Sequence, residues 1–449
     1  MKHLLSFLIP VLLSTAAFTQ SLPVKLDEYF TIAGRIGRFN GSVLVARGDT
    51  ILFHKAYGWR DLARQIPNDT NSVFQLGSIT KTFTGAVILQ LKEEGKVSLK
   101  DPLSRYLPGY PSGEKITLEH LLTHRSGIPD FKPALYSKDT SVAQSFSRPV
   151  SHDYILSFFR DKPLASEPGS QTHYSNSGYY LLGMIIEKVT GHPFEAEVRR
   201  RFLTPLQMRS SGFDFRNLRI PGRTTGYTMQ RDTVMVPIAP LDSSAAYAAG
   251  GMYSTTGDLF RWATAVRRNL LLRPETWEEA LSGHPEWGYG WGVSEVNGDK
   301  LAYQNGNLPG YGTFFVYIPK QNLTIILLSN IDDASYLSDP DPILATIAKM
   351  AYGGPYQLPK RRRAVSPDLL NAYAGKYQLG KDKVVSVTVK GGNLLLDVPG
   401  QPTYRLFAES TTDFFLEEAN VSFTFHRDET GKVSRMTVHQ NGDTEATRL

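Results

Sequence analysis

Hydrophobic and polar positions alternate in short runs near both ends of the chain and follow a helical rhythm between them. Gly41-Ser42-Val43-Leu44-Val45-Ala46 and Ile51-Leu52-Phe53-His54 flank Arg47-Gly48-Asp49-Thr50, which reads as strand, turn and strand. A helix is predicted from about residue 79 to 94, where Gly95 suits a left-handed cap. From Phe83 to Leu91 it is apolar nearly all round, which places it at the centre of a domain. Helical signals continue at residues 117–123, 154–160, 178–189 and 258–266. Strands return at 301–304, 313–318 and 323–329. Strands at both ends with helices between them predict an α+β fold. Its antiparallel sheet is flanked by helices, and a helical subdomain is inserted between the two halves of the sheet.

The pattern changes after residue 352. Gly353-Gly354-Pro355 and the basic run Lys360-Arg361-Arg362-Arg363 read as an exposed linker over residues 356–365. Beyond it Val385, Val387 and Val389 alternate with Ser386 and Thr388, Gly391-Gly392-Asn393 makes a turn, and Val421, Phe423 and Phe425 alternate again. Residues 366–449 are therefore predicted to form a small all-β, barrel-like domain. At the other end Lys2 and His3 precede an apolar run from Leu4 to Leu13 and then small or polar residues to Gln20. This is the order of a cleavable secretory signal, assigned to residues 1–19, with the principal domain at 20–355. The apolar run is shorter than the ~20 residues a membrane span requires.

Composition narrows the options. A chain of 449 residues is long for one domain, and 41% hydrophobic with 20% charged residues excludes global disorder. Cysteine is absent, which removes disulfides, thiolate metal sites, a cysteine nucleophile and a lipid anchor on cysteine. Export without cysteine fits a bacterial periplasm or exterior. The net charge of +6 is spread along the chain, with no basic stripe interleaved with aromatics, so nucleic acid is not an expected partner.

Three short motifs carry candidate chemistry. In Gly77-Ser78-Ile79-Thr80-Lys81 the i, i+3 spacing puts Lys81 beside the Ser78 hydroxyl at the start of a buried helix. Both desolvation and the positive end of the helix disfavour an ammonium there, which prepares an amine to activate a serine. Taken alone, S-x-x-K occurs by chance about once in a chain of this size. Tyr174-Ser175-Asn176 offers a phenol to relay the serine proton, and an amide to hold Lys81 and a substrate carbonyl. Gln304-Asn305-Gly306-Asn307-Leu308-Pro309-Gly310-Tyr311 ends a strand. A glycine there allows substrate close to the strand edge, and a free N–H can cradle an oxyanion.

In order and spacing the three motifs resemble the serine β-lactamase and penicillin-binding-protein superfamily. Tyr-x-Asn at the second motif is similar to the branch of class C β-lactamases, DD-carboxypeptidases and related esterases. Residues 74–77, 95–103, 116–128 and 250–255 are also similar to family segments, and the resemblance spans roughly residues 28–352. It implies that Ser78 is a nucleophile forming an acyl-enzyme, that Lys81 eases its deprotonation, and that Tyr174 is general base and later acid. Asn176, Gln304 and Gly306 would position substrate, and the N–H groups of Ser78 and Asn307 would form the oxyanion hole. The substrate would be a small ester or amide, or a cell-wall peptide, with no cofactor and no metal. The C-terminal part resembles the small β domain that often follows such catalytic domains.

One departure matters. Where the family has Lys or His at the third motif, this chain has Gln304, which offers no charge to a substrate carboxylate. That tilts the reading from an efficient β-lactamase or D-Ala-D-Ala carboxypeptidase toward an esterase or amidase. A catalytically weak penicillin-binding or ligand-sensing module is the alternative. Other constellations are weaker. His120 and His124 have zinc-pair spacing, but H-L-L-T-H lacks the glutamate of H-E-x-x-H. His173 adjoins Tyr174 with a structural role expected. Asp332, Asp333, Asp339 and Asp341 do not follow a calcium-loop spacing, and Asp341-Pro342 reads as a helix cap. There is no Gly-x-Ser-x-Gly and no P-loop.

Overall fold

The computed structural model describes residues 20–137, 139–230, 234–282, 286–332, 342–380, 383–416, 419, 421–440 and 442–449. The assigned signal segment and Asp333, Asp339 and Asp341 lie outside the described residues.

The chain starts with helix α1 (Leu22–Arg35), then the hairpin β1 (Gly41–Arg47) and β2 (Thr50–Tyr57). The helical insertion follows, with α2 (Thr80–Glu93), α3 (Asn176–Thr190), α4 (Ser243–Gly250) and α5 (Thr256–Arg267) as its main members. The sheet resumes with β3 (Gly292–Val296), β4 (Asp299–Leu308), β5 (Tyr311–Ile318) and β6 (Leu323–Ser329), and α6 (Pro342–Ala351) closes the domain. The strands form one antiparallel six-stranded sheet in the order β2-β1-β6-β5-β4-β3. The first and last halves therefore meet at β1 and β6, where Val43 faces Leu327 and Val45 faces Ile325.

Both faces of this sheet are covered, which explains why β6 is buried along its whole length and apolar without alternation from Ile325 to Leu328. Val43, Val45, Val316 and Ile325 pack under α1 and α6 with Phe30 and Ile347. Leu44, Phe315, Ile326 and Leu328 face the helical insertion with Phe83, Val87 and Trp262. As the pattern predicted, α2 is buried from Thr80 to Leu89. It begins one residue later than expected because Gly77–Ile79 forms a 3₁₀ turn ahead of it. The helix predicted at 154–160 forms at His152–Leu156, where the Ser151 hydroxyl caps the Tyr154 N–H. The strand predicted at 301–304 extends to Leu308 and so carries the whole third motif up to its turn.

The second unit begins at α7 (Pro367–Tyr373), capped by Ser366. Eight strands follow: β7 (Gly375–Leu379), β8 (Lys383–Lys390), β9 (Asn393–Asp397), β10 (Tyr404–Ala408), β11 (Asp413–Phe415), β12 (Ser422–Arg427), β13 (Val433–His439) and β14 (Asp443–Arg448). They form a closed barrel, sealed where Tyr377 of β7 pairs with Arg448 of β14. Its core is separate, with Tyr373 from α7 stacked on Phe425 at 4.3 Å inside. The basic run is exposed at Arg361 and Arg363 but docked at its other positions. Arg362 is buried with its guanidinium 4.0 Å from the Phe407 ring, Lys360 pairs with Glu409, and the Arg363 N–H bonds the Ala408 carbonyl. The arginine stem and planar head pack on an aromatic face, which a hydropathy pattern does not register.

Candidate active site

The nucleophile candidate is set by a backbone that only glycine permits. Phe74 and Gln75 pair with Tyr253 and Ser254, and the Leu76 N–H bonds the Met252 carbonyl. The chain then turns at Gly77 with φ 56°. A side chain on Gly77 would lie 3.0 Å from the Asn307 nitrogen, so glycine lets this turn rest against β4. Gly306 serves the same contact from the other side. A Cβ there would collide with the Leu76 carbonyl oxygen, which also accepts from Thr313 Oγ1 at 2.6 Å. The close approach predicted for Gly306 is therefore made by the protein's own turn rather than by substrate.

Ser78 Oγ lies 2.9 Å from Lys81 Nζ and 2.8 Å from the Tyr174 phenol oxygen. Lys81 Nζ also meets Asn176 Oδ1 and the Ala249 carbonyl, each at 2.7 Å. Burial pushes the Lys81 amine well below the ordinary lysine range, opposed by the negative charge of Asp130 and helped by the positive charge of Lys132. The partners dictate how a neutral amine sits. Asn176 Oδ1 and the Ala249 carbonyl can only accept, so they take the two N–H bonds, and the nitrogen lone pair faces the Ser78 hydroxyl. Tyr174 is driven the other way, its phenol held well above the ordinary tyrosine range by burial. It therefore donates to Ser78 Oγ. Burial disfavours the phenolate and the ammonium alike, so Ser78 rests between a phenol and an amine.

Asn176, the first residue of α3, departs from expectation in one respect. Its Nδ2 lies 3.1 and 3.0 Å from the two oxygens of Asp130, and its backbone N–H bonds Asp130 Oδ1 at 3.0 Å. The amide oxygen thus aims Lys81, and one amide hydrogen is shared between the two Asp130 oxygens, a partner the sequence did not predict; the second hydrogen points away from that carboxylate. Asp130 was not identified from the sequence. It lies two residues beyond the matched segment 116–128, and its adjacency was the available signal. Ala249 was missed as well. Within α4, Tyr247 adopts φ 43° and ψ −128°, a strained conformation that turns the Ala248 carbonyl onto Thr84 Oγ1 (2.7 Å) and the Ala249 carbonyl onto Lys81.

Gln304 is not brought into the cleft. Its side chain is 1% exposed, its Nε2 donates to the Gly290 carbonyl at 3.1 Å, and its Oε1 has no hydrogen-bond partner among the described residues. Alternation along β4 explains this, since residues 304 and 306 face the helices while Asn305 and Asn307 face the cavity. The cavity holds about 590 Å³ and is lined at one end by Ser78, Lys132, Tyr174 and Asn176. Lys132 is the charged residue among its lining, and its amine is pulled below the usual range by burial, with Asp130 opposing. Tyr136 reaches Asn307, its phenol 2.7 Å from Asn307 Oδ1.

The histidines have other duties. His120 completes a capping box with Thr117. His124 is buried and held neutral by desolvation. It accepts the Ser175 N–H at 3.2 Å and packs 4.2 Å from the Tyr174 ring. His173 is exposed and pairs with Gln171. Asp332 accepts the Gly310 N–H at 2.9 Å. No group of three metal-ligating side chains occurs among the described residues.

A serine hydroxyl between an amine and a phenol, on a two-faced α+β sheet, defines the serine hydrolases of the acyl-serine type. Comparison with known proteins gives the family. Residues 31–347 match the Beta-lactamase family model, and the chain belongs to that family; residues 359–448 match a domain of unknown function, DUF3471. Penicillin-binding protein 4* of Bacillus subtilis is 29% identical over 94% of this chain and 98% of its own length. Among solved structures, the octameric penicillin-binding protein homologue from Pyrococcus abyssi superposes with TM-score 0.68 at 25% identity, covering 94% of this chain and 99% of that one. The D-amino acid amidase of Ochrobactrum anthropi shares the fold, with TM-score 0.64 at 22% identity over 74% of this chain and 99% of that one.

Proposed function

We propose that this protein is an exported hydrolase that cleaves a small ester or amide through an acyl-Ser78 intermediate. The observation that carries the reading is the convergence of Lys81 Nζ and the Tyr174 phenol on Ser78 Oγ, at 2.9 and 2.8 Å. Lys81 takes the hydroxyl proton as Ser78 Oγ attacks the carbonyl carbon. The developing oxyanion is held by the N–H groups of Ser78 and Asn307, each such donor contributing about 3 kcal/mol to the transition state. Tyr174 then gives its proton to the departing alcohol or amine and is reprotonated from Lys81. Water repeats the sequence in reverse to release the acid.

Export is supported by the basic, apolar and small-residue order of residues 2–20 and by the absence of cysteine. No helix among the described residues is long and apolar enough to cross a membrane. Labelling with a fluorescent fluorophosphonate, run beside turnover of short acyl esters and D-amino-acid amides, tests the reading. The native chain should label and turn over, and Ser78→Ala should do neither. Labelling that persists in Ser78→Ala would place the nucleophile elsewhere. Labelling without turnover would favour the binding-module reading.

A further inference from the structure

The cavity does not end at the catalytic serine. From Ser78 it continues across β4 into an arm lined by Leu301, Val316, Ile318, Ile325, Leu344 and Ala348, between the sheet and α6. No charged side chain lines this arm among the described residues. Its walls are aliphatic, and a total volume of about 590 Å³ lies within the range of small-molecule sites. Water gains few hydrogen bonds in such an arm, while a hydrocarbon chain gains by leaving solvent.

The site also fixes which part of a substrate meets the arm. The departing group must receive a proton from Tyr174, so it leaves on the phenol's side of Ser78. Tyr174 packs 5.1 Å from the Trp287 ring, which lies 6.3 Å from Tyr303. Leu301, Tyr303 and Asn305 share one face of β4 by the two-residue period of a strand, and all three line the cavity. Trp287 and Tyr303 thus link the phenol's side of Ser78 to the face of β4 that lines the arm.

We propose that the arm is a subsite for the leaving group, and that preferred substrates are esters or amides of an unbranched aliphatic alcohol or amine. This rests on the acyl-serine reading above. The chemistry balances as ordinary hydrolysis: the carbonyl–heteroatom bond breaks, Ser78 Oγ takes the acyl group, and the long-chain alcohol or amine departs with one proton.

The test uses the full chain and two ester series, acetates of ethanol to 1-octanol and ethyl esters of acetic to octanoic acid. Burying each methylene should raise kcat/KM about threefold to fourfold along the alcohol series until the arm is full. In Ala348→Trp and Ala345→Trp, which fill the arm from α6, the octyl-to-ethyl ratio should fall toward one. Isothermal calorimetry should show 1-octanol binding to the native chain, and binding lost in both variants. A flat alcohol series, or a gain that survives both tryptophans, would overturn the proposal. A gain confined to the acid series would overturn the assignment to the leaving group. Octanol binding without turnover of any ester would leave the arm standing and defeat the hydrolase reading. Turnover without octanol binding would do the reverse.

Discussion

Lys81 illustrates how a single buried group defines the site. Its amine has three oxygen neighbours, and only Ser78 carries a proton to give. Desolvation supplies the basicity that a histidine supplies in other serine enzymes. The same reasoning applies to substrate charge. Gln304 is sealed against Gly290, whereas Lys132 lines the cleft. Lys132→Met should therefore raise KM for a carboxylate-bearing ester several-fold relative to its neutral counterpart, and Gln304→Leu should leave that ratio unchanged. Steady-state kinetics on a matched pair of substrates checks both. Ser78, Lys81, Tyr174 and Asn176 were legible in the sequence because two of the motifs sit at helix starts, where spacing fixes geometry. Asp130 and Ala249 were not. One is a loop carboxylate and the other a backbone carbonyl, and neither residue type announces its role.

At the scale of elements, the site depends on how closely the turn before α2 approaches β4. Gly77 and Gly306 face one another across that contact, and neither tolerates a Cβ. Gly306→Ala should push the Leu76–Gly77 turn away from Asn307, cost about 1–3 kcal/mol of stability, and lower kcat by more than it raises KM. Thermal unfolding and steady-state kinetics on the same preparation separate these effects. The extent of β4 was only half visible in the sequence. Its second half, Asn305 to Leu308, is polar and glycine-containing, and it is strand because its partner β5 is wholly buried. Long-range pairing overrode local preference there. Helix α2 was read within a residue or two because its burial is continuous along its length.

For the whole molecule, the change in pattern near residue 352 separates a sheet with an apolar cluster on each face from a barrel with a cluster of its own. The barrel has its own cluster, its own plug in Tyr373 and closure through Tyr377 and Arg448. Residues 366–449 expressed alone should give a β-type circular dichroism spectrum and one cooperative unfolding transition; a non-cooperative melt would show that the barrel depends on the rest of the chain. Strand alternation made the barrel's β character legible, while its closure rests on pairing between chain segments far apart and has no local signature. The account as a whole depends on a neutral Lys81 drawing the proton from Ser78. Its most direct test is the pH dependence of the acylation rate at Ser78, measured by stopped-flow with an ester that reports its leaving group. Acylation should rise with pH through one ionisation well below the ordinary lysine range, as the ammonium loses its proton, and then level off. Asp130→Asn should move that limb to lower pH, because the charge that favours the ammonium is gone, and Lys81→Arg should slow acylation by about 10²–10⁴-fold. An ionisation at the ordinary lysine value, or native acylation rates in Lys81→Arg, would contradict the account.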